Sequence, residues 1–136
     1  MTERVAVTGA LGKVGRAVVQ DLVAHGYTVH ATDAQGPFGE RAGLGVDVMR
    51  VDLTDYGQTL DALLGVTARH AGIDALVHLA PIPANGPVPD APPSENNVLA
   101  SSHVLLAAHP RALRPPVLSP RIPPTCPLSA APSPPL

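Results

Sequence analysis

Short apolar runs alternate with amphipathic segments along the first 108 residues of the chain. Four runs rich in strand-forming residues each adjoin a glycine or an aspartate and predict buried strands, at residues 4–8, 27–32, 48–51 and 73–80. Between and after them, apolar residues recur at helical spacing, which predicts three helices. The order strand, helix, strand, loop, strand, helix, strand, loop, helix predicts an α/β fold whose parallel strands are joined by right-handed crossovers.

The composition changes sharply near residue 108. All 12 glycines lie at or before Gly86, the last acidic residue is Glu95, and 10 of the 17 prolines follow residue 108. A segment of proline, alanine, serine, leucine and arginine cannot bury a core. We therefore predict a folded portion over residues 1–108 and a disordered, proline-rich tail over residues 109–136. Two origins of the tail stay open: a genuine sequence, or a reading frame lost near Ala108.

Charge, cysteine content and hydropathy exclude several classes of function. The formal net charge of -2 argues against a nucleic-acid partner. The single cysteine, Cys126, cannot form an internal disulfide, which fits a reducing compartment. No apolar run reaches the ~18 residues that a membrane span needs, and the N-terminus shows no secretory signal. We therefore expect a cytoplasmic protein that binds neither nucleic acid nor membrane.

The glycine-rich segment between the first strand and the first helix indicates a phosphate-binding turn. It reads Thr-Gly-Ala-Leu-Gly-Lys-Val-Gly over residues 8–15. In this context Gly9 permits a tight turn, Gly12 admits a pyrophosphate, and Gly15 allows close packing of the helix. The N–H groups that would point at the phosphates belong to Gly12, Lys13 and Val14. The alternative is a glycine-rich connection that binds no ligand.

Two aspartates follow the second and third predicted strands. Asp33 lies 18 residues past Gly15 and is placed to accept hydrogen bonds from an adenosine ribose and to repel the 2′-phosphate of NADP. NAD is therefore the predicted cofactor, and NADP is less favoured. Asp52 is expected to accept from the adenine amino group while Leu53 packs on the ring. The alternatives are a solvated loop residue for Asp33 and a neighbour of the helix-capping Thr54 for Asp52.

Five segments agree in order with the pattern of a known family, at residues 7–15, 22–29, 52–55, 77–80 and 95–98. Together they resemble the extended short-chain dehydrogenase/reductases, the NAD-dependent epimerase/dehydratase group. The resemblance covers residues 4–108 and implies a partial Rossmann fold, the first half of a doubly wound parallel sheet. It implies cofactor contacts at Gly9, Gly12, Lys13, Val14, Gly15, Asp33, Asp52, Leu53, Leu79 and Ala80, and at one of Asn96 and Asn97.

The resemblance also implies an oxidoreductase or epimerase acting on a sugar nucleotide or a related alcohol or carbonyl compound. Members of the family use a Tyr-x-x-x-Lys pair, whose tyrosine is the general acid/base. No tyrosine follows Tyr56 here, and Lys13 is the only lysine. Because proton transfer contributes on the order of 10²–10⁴-fold to rate, we predict no catalytic residue and no turnover by this chain.

Two alternatives to a truncated, inactive enzyme portion stay open. One is a non-catalytic NAD-binding module whose Pro-x-x-Pro spacings dock on a partner, and the other is a non-functional translation product.

We predict no metal site, a hydrogen-bonded core role for His78, and no catalytic role for Ser119. In the strand order 3-2-1-4 the fourth strand has a bare outer edge, which predicts self-association.

Overall fold

The computed structural model describes residues 2–64, 72–80, 91–109 and 117–118 of the 136. Its strands and helices alternate in the predicted order. They are β1 (Arg4–Thr8), α1 (Lys13–Ala24), β2 (Thr28–Asp33), a 3-10 turn (Glu40–Ala42), β3 (Val48–Arg50), α2 (Tyr56–Leu64), β4 (Ala75–His78), α3 (Ala91–Ala108) and β5 (Val117–Leu118).

The strands form one parallel sheet in the order β3-β2-β1-β4-β5. The chain runs outward from β1 to β3 and then returns to β4, on the other side of β1. In open parallel sheets, ligands bind at such a reversal, outside the carboxyl ends of the strands. The sheet order therefore confirms the Rossmann-like fold, and the carboxyl ends of β1, β2 and β4 are Thr8, Asp33 and His78.

Both faces of the sheet are covered, which explains the nearly continuous apolar character of its central strands. In β1, Val5 and Val7 belong to the cluster under α1, whereas Ala6 belongs to the cluster under α2 and α3. Successive side chains of a strand point to opposite faces, so this single strand contributes to both halves of the core. Val7 of β1 and Val19 of α1 are fully buried and hold the first helix against the sheet.

The third helix begins earlier than the sequence indicates. The proline-rich run from Pro81 to Pro93 predicts a loop, with Ser94 as the cap of the helix that follows. The helix α3 begins at Ala91 instead, so this prediction is wrong for the last residues of the loop. The first N–H groups of a helix have no intrahelical acceptor, and proline therefore fits the first turn. The rest of the predicted loop, residues 81–90, lies outside the described residues.

The expectation of a bare edge on the fourth strand is wrong at its carboxyl end. Val77 pairs with Val117, and His78 pairs with Leu118, through β5. These partners belong to the segment predicted to be disordered, yet they offer backbone groups that a strand edge can bind. The prolines at 115, 116 and 120 flank the pair rather than interrupt it. Ser119, Cys126 and the rest of the tail beyond residue 118 lie outside the described residues.

No helix among the described residues has both the length and the apolar character needed to cross a membrane. In the same part of the chain, no group of three or more histidine, cysteine, aspartate or glutamate side chains is arranged to hold a metal ion.

Candidate functional site

A cleft of about 430 Å3 opens at the carboxyl ends of the strands. Its walls come from the glycine turn after β1, the end of β2, the segment after β3, the residues after β4 and one face of α3. Eight predicted site residues line it: Gly9, Gly12, Asp33, Asp52, Leu53, Leu79, Ala80 and Asn96. Segments identified separately in the sequence thus form one concave surface.

Four predicted residues do not line the cleft. Lys13 and Val14 begin α1 and are exposed, and Gly15 is buried beneath the glycine turn. Of the asparagine pair, Asn96 lines the cleft and Asn97 does not. The sequence could not make this choice because it depends on how α3 is rotated against the sheet.

Sequence reasoning missed half of the lining residues that the structure describes. The additional residues are Leu11, Thr32, Ala34, Gln35, Gly36, Val51, Thr54 and Ala100. Most of them adjoin a predicted residue at a strand end, so the topology rule for carboxyl ends would have found them. Ala100 lies four residues past Asn96, and helical spacing signals it once Asn96 is chosen.

The three glycines of the turn differ in what a side chain at each position would contact. Gly9 has a φ of 68°, and a Cβ atom there would overlap the carbonyl oxygen of Leu79. A Cβ atom on Gly15 would overlap the carbonyl oxygen of Gly9 and lie 2.8 Å from the Cα of Ala10. At Gly12 the nearest atom would be the carbonyl oxygen of Gly9 at 3.4 Å, an ordinary contact. The fold itself requires Gly9 and Gly15, whereas Gly12 leaves open space on the cleft.

The Asp33 carboxylate ties the glycine turn to the loop after β2. Its Oδ2 accepts a hydrogen bond from the Leu11 N–H at 3.0 Å, and its Oδ1 accepts one from the Gln35 N–H at 3.0 Å. Each carboxylate oxygen has two lone pairs, so both can accept a further hydrogen bond from a ligand hydroxyl. The two backbone bonds hold the carboxylate in place at the wall of the cleft.

Asp52 lies at the wall of the cleft and also stabilises the turn that precedes α2. It lines the cleft, and its Oδ1 accepts hydrogen bonds from the N–H of Thr54 at 2.9 Å and from the Thr54 hydroxyl at 2.6 Å. The cap of α2 is Asp55, whose Oδ1 accepts from the Gln58 N–H at 3.1 Å. Hydrogen bonds from the backbone and side chain of Gln58 lower the pKa of Asp55, because they favour the ionised carboxylate.

His78 is buried behind the cleft wall, 2% exposed, in a hydrogen-bonded relay with Thr8 and Ser101. Its Nδ1 lies 2.7 Å from Thr8 Oγ1, and its Nε2 lies 3.0 Å from Ser101 Oγ. The predicted hydrogen-bonded core role is therefore confirmed. Burial lowers the pKa of His78 to about 4, and both polar partners are uncharged.

The buried His78 makes stability depend on pH. Between pH 6.5 and about 4 the unfolded chain binds a proton that the folded chain does not, so the free energy of unfolding falls as the pH falls through this window. We expect a slope of up to about 1.4 kcal/mol per pH unit from this group, and a total loss of roughly 3 kcal/mol. Urea unfolding at several pH values checks this expectation, and His78→Gln should remove the slope. An unchanged slope in that variant would assign it to other groups.

The model of the NAD dependent epimerase/dehydratase family matches residues 5–119 of this chain. The match extends 11 residues beyond the predicted boundary at residue 108 and includes β5. A comparison with curated proteins found no significant match.

Solved structures with the same fold include enzymes with bound NAD. A short-chain dehydrogenase/reductase superfamily protein from Agrobacterium tumefaciens with bound NAD has 28% identity, a TM-score of 0.67, and coverage of 84% of this chain and 31% of its own. The UDP-glucose 4-epimerase of Thermus thermophilus in complex with NAD has 27% identity, a TM-score of 0.64, and coverage of 83% and 36%.

Uronate dehydrogenase from Agrobacterium tumefaciens has 24% identity, a TM-score of 0.61, and coverage of 80% of this chain and 37% of its own, a likeness in fold. This chain thus spans about a third of the length of these three proteins.

Proposed function

This chain belongs to the NAD dependent epimerase/dehydratase family, and from that premise we propose that its cleft binds NAD. The observation that carries the proposal is the open space at Gly12, where a Cβ atom would meet a single atom of the described residues within 4 Å. Since Gly12 caps α1, its open side lies at a helix N-terminus, where backbone N–H groups and the helix dipole favour a phosphate.

The other walls fit the remaining parts of a dinucleotide. Asp33 is held by two backbone N–H groups and retains acceptor capacity for the hydroxyls of an adenosine ribose. Asp52 and Leu53 supply an acceptor and an apolar surface for adenine, while Leu79, Ala80 and Asn96 extend the cleft past β4. When bound, NAD supplies hydride-transfer chemistry, and this chain supplies the binding and orientation.

We expect the unmodified chain to bind NAD saturably and NADP at least about tenfold more weakly, because the Asp33 carboxylate repels a 2′-phosphate. Asp33→Asn should reduce this preference, since the amide carries no charge. It should also lower the free energy of unfolding by about 1 kcal/mol, because one amide oxygen cannot replace two carboxylate oxygens as acceptors for Leu11 and Gln35. Calorimetric titration with each nucleotide and urea unfolding measure both effects.

Asp47→Asn is the matched control, because Asp47 is exposed and does not line the cleft. This variant should keep the nucleotide preference of the unmodified chain. A chain that binds neither nucleotide would contradict the proposed function. Equal NAD and NADP affinity in the unmodified chain would contradict the role of Asp33 alone.

We further propose that these 136 residues bind the cofactor without turning over a substrate. The family's Tyr-x-x-x-Lys pair is absent from the sequence, and the described residues of the cleft offer no other general acid/base near Leu79 and Ala80, since His78 lies behind the wall. The substrate class proposed for the family portion is a sugar nucleotide or a related alcohol or carbonyl compound, as in the epimerase and the uronate dehydrogenase that share its fold. Epimerisation of UDP-glucose or oxidation of a uronate by the purified chain would contradict the proposal.

A further inference from the structure

Three hydrogen-bonded side chains connect the segments that meet at one end of the cleft. Thr8 ends β1, His78 ends β4 in direct register with it, and Ser101 lies on α3. None of the three lines the cleft, yet Gly9 directly follows Thr8, and Leu79 directly follows His78. The relay therefore lies one residue behind the surface that would contact a ligand.

The hydrogen bonds of Thr8 favour one direction of donation along the relay. The Leu79 N–H donates to Thr8 Oγ1 at 3.3 Å, so the Thr8 hydroxyl can donate its own hydrogen to His78 Nδ1 at 2.7 Å. The neutral ring then carries its hydrogen on Nε2 and donates it to Ser101 Oγ at 3.0 Å. A protonated ring would have hydrogens on both nitrogens and could not accept from Thr8.

A directional contact of this kind fixes helix α3 relative to the sheet more closely than apolar packing alone. The other described contacts of α3 include the apolar ones of Ala100 and Val104 and a hydrogen bond of 2.8 Å between His103 Nδ1 and the carbonyl oxygen of Leu53. The Ser101 bond is the nearer of the two hydrogen bonds to Asn96 in sequence and, together with the His103 bond, sets the position of the cleft residues Asn96 and Ala100.

We propose that His78 is a positioning residue of the cleft: its neutral ring, between Thr8 and Ser101, aligns the Gly9 turn, the Leu79–Ala80 segment and α3 for the cofactor. This inference rests on the proposed NAD binding and deepens it. His78 touches no cofactor in this arrangement and acts through the residues beside its partners.

Ser101→Ala tests the inference without removing a large buried side chain. We expect NAD binding about fivefold to tenfold weaker, as the loss of one buried hydrogen bond implies. Ser101→Thr retains the hydroxyl and should restore most of the affinity. Ser102→Ala, the same change at an exposed neighbouring position of α3, should have no effect.

Nuclear magnetic resonance of the full chain labelled with 15N-histidine supplies a signature that a purely structural role would not change. We expect the His78 ring to be the neutral Nε2–H tautomer and its nitrogen signals to shift on saturation with NAD, while those of the exposed His25 stay unchanged. His78→Gln assigns the signals.

The outcomes separate this inference from the proposed function. Absence of NAD binding by the unmodified chain overturns both. Tight NAD binding with unmoved His78 signals, the opposite tautomer, or full affinity in Ser101→Ala overturns the inference and leaves the proposed function intact.

Discussion

Replacing Gly12 by valine should weaken NAD binding by about 100-fold or more while changing the melting temperature by less than about 3 °C. The backbone at Gly12 is extended, with φ of -68° and ψ of 168°, a conformation open to any residue. Among the residues that the structure describes, a Cβ atom there meets only the carbonyl oxygen of Gly9, at 3.4 Å. It would instead occupy the volume that a pyrophosphate needs and keep the phosphates from the first N–H groups of α1. Each lost charge-assisted hydrogen bond costs about 1.5–3 kcal/mol, so two are enough for the expected effect.

Calorimetric titration with NAD and a thermal melt of the same preparation measure this result. Ala17→Val adds comparable bulk to an exposed position of the same helix and should leave NAD affinity unchanged. Undiminished NAD affinity in Gly12→Val would show that the phosphates do not bind at this turn. A large drop in melting temperature would mean that Gly12 is needed by the fold rather than by a ligand.

In contrast to Gly12→Val, Gly15→Ala should act mainly on stability. It should lower the free energy of unfolding by about 3 kcal/mol or more. Alanine normally stabilises a helix relative to glycine by about 1 kcal/mol, so the expected sign is reversed. The new Cβ atom would overlap the carbonyl oxygen of Gly9 and lie 2.8 Å from the Cα of Ala10. Both neighbours are backbone atoms under a tight turn, so α1 must move and uncover Val19, which is fully buried. For a domain with a total stability of about 5–15 kcal/mol, this is a severe loss.

Urea unfolding and the yield of soluble protein measure the effect of Gly15→Ala. The control is Gly57→Ala near the start of α2, where the closest atom to a new Cβ is the Asp55 Oδ1 at 3.3 Å. That variant should change the free energy of unfolding by less than about 1 kcal/mol. Equal stability of Gly15→Ala and the unmodified chain would show that the helix can yield without loss of core contacts.

Most of the fold could be predicted from rules that relate short sequence segments to strands, turns and helices. The β-branched run at residues 4–8 and the glycine turn at 8–15 predicted β1, the start of α1 and the carboxyl edge of the sheet, because strand, turn and helix chemistry depend on near neighbours in sequence. Asp33 was predicted at the cleft for the same reason, as the residue that ends a buried strand. The site was predictable to the extent that its members are strand ends.

The sequence by itself determined the α/β order, the glycine turn and the aspartates that end β2 and follow β3, since each is encoded in a short window of residues. Only the tertiary structure decided that Asn96 rather than Asn97 faces the cleft, that β5 covers the carboxyl end of β4, and that His78 bonds Thr8 and Ser101. These outcomes depend on contacts between residues far apart in the chain, such as Thr8 and His78 at a separation of 70. Such contacts form only when the sheet register and the rotation of α3 are set together, and no local pattern encodes either.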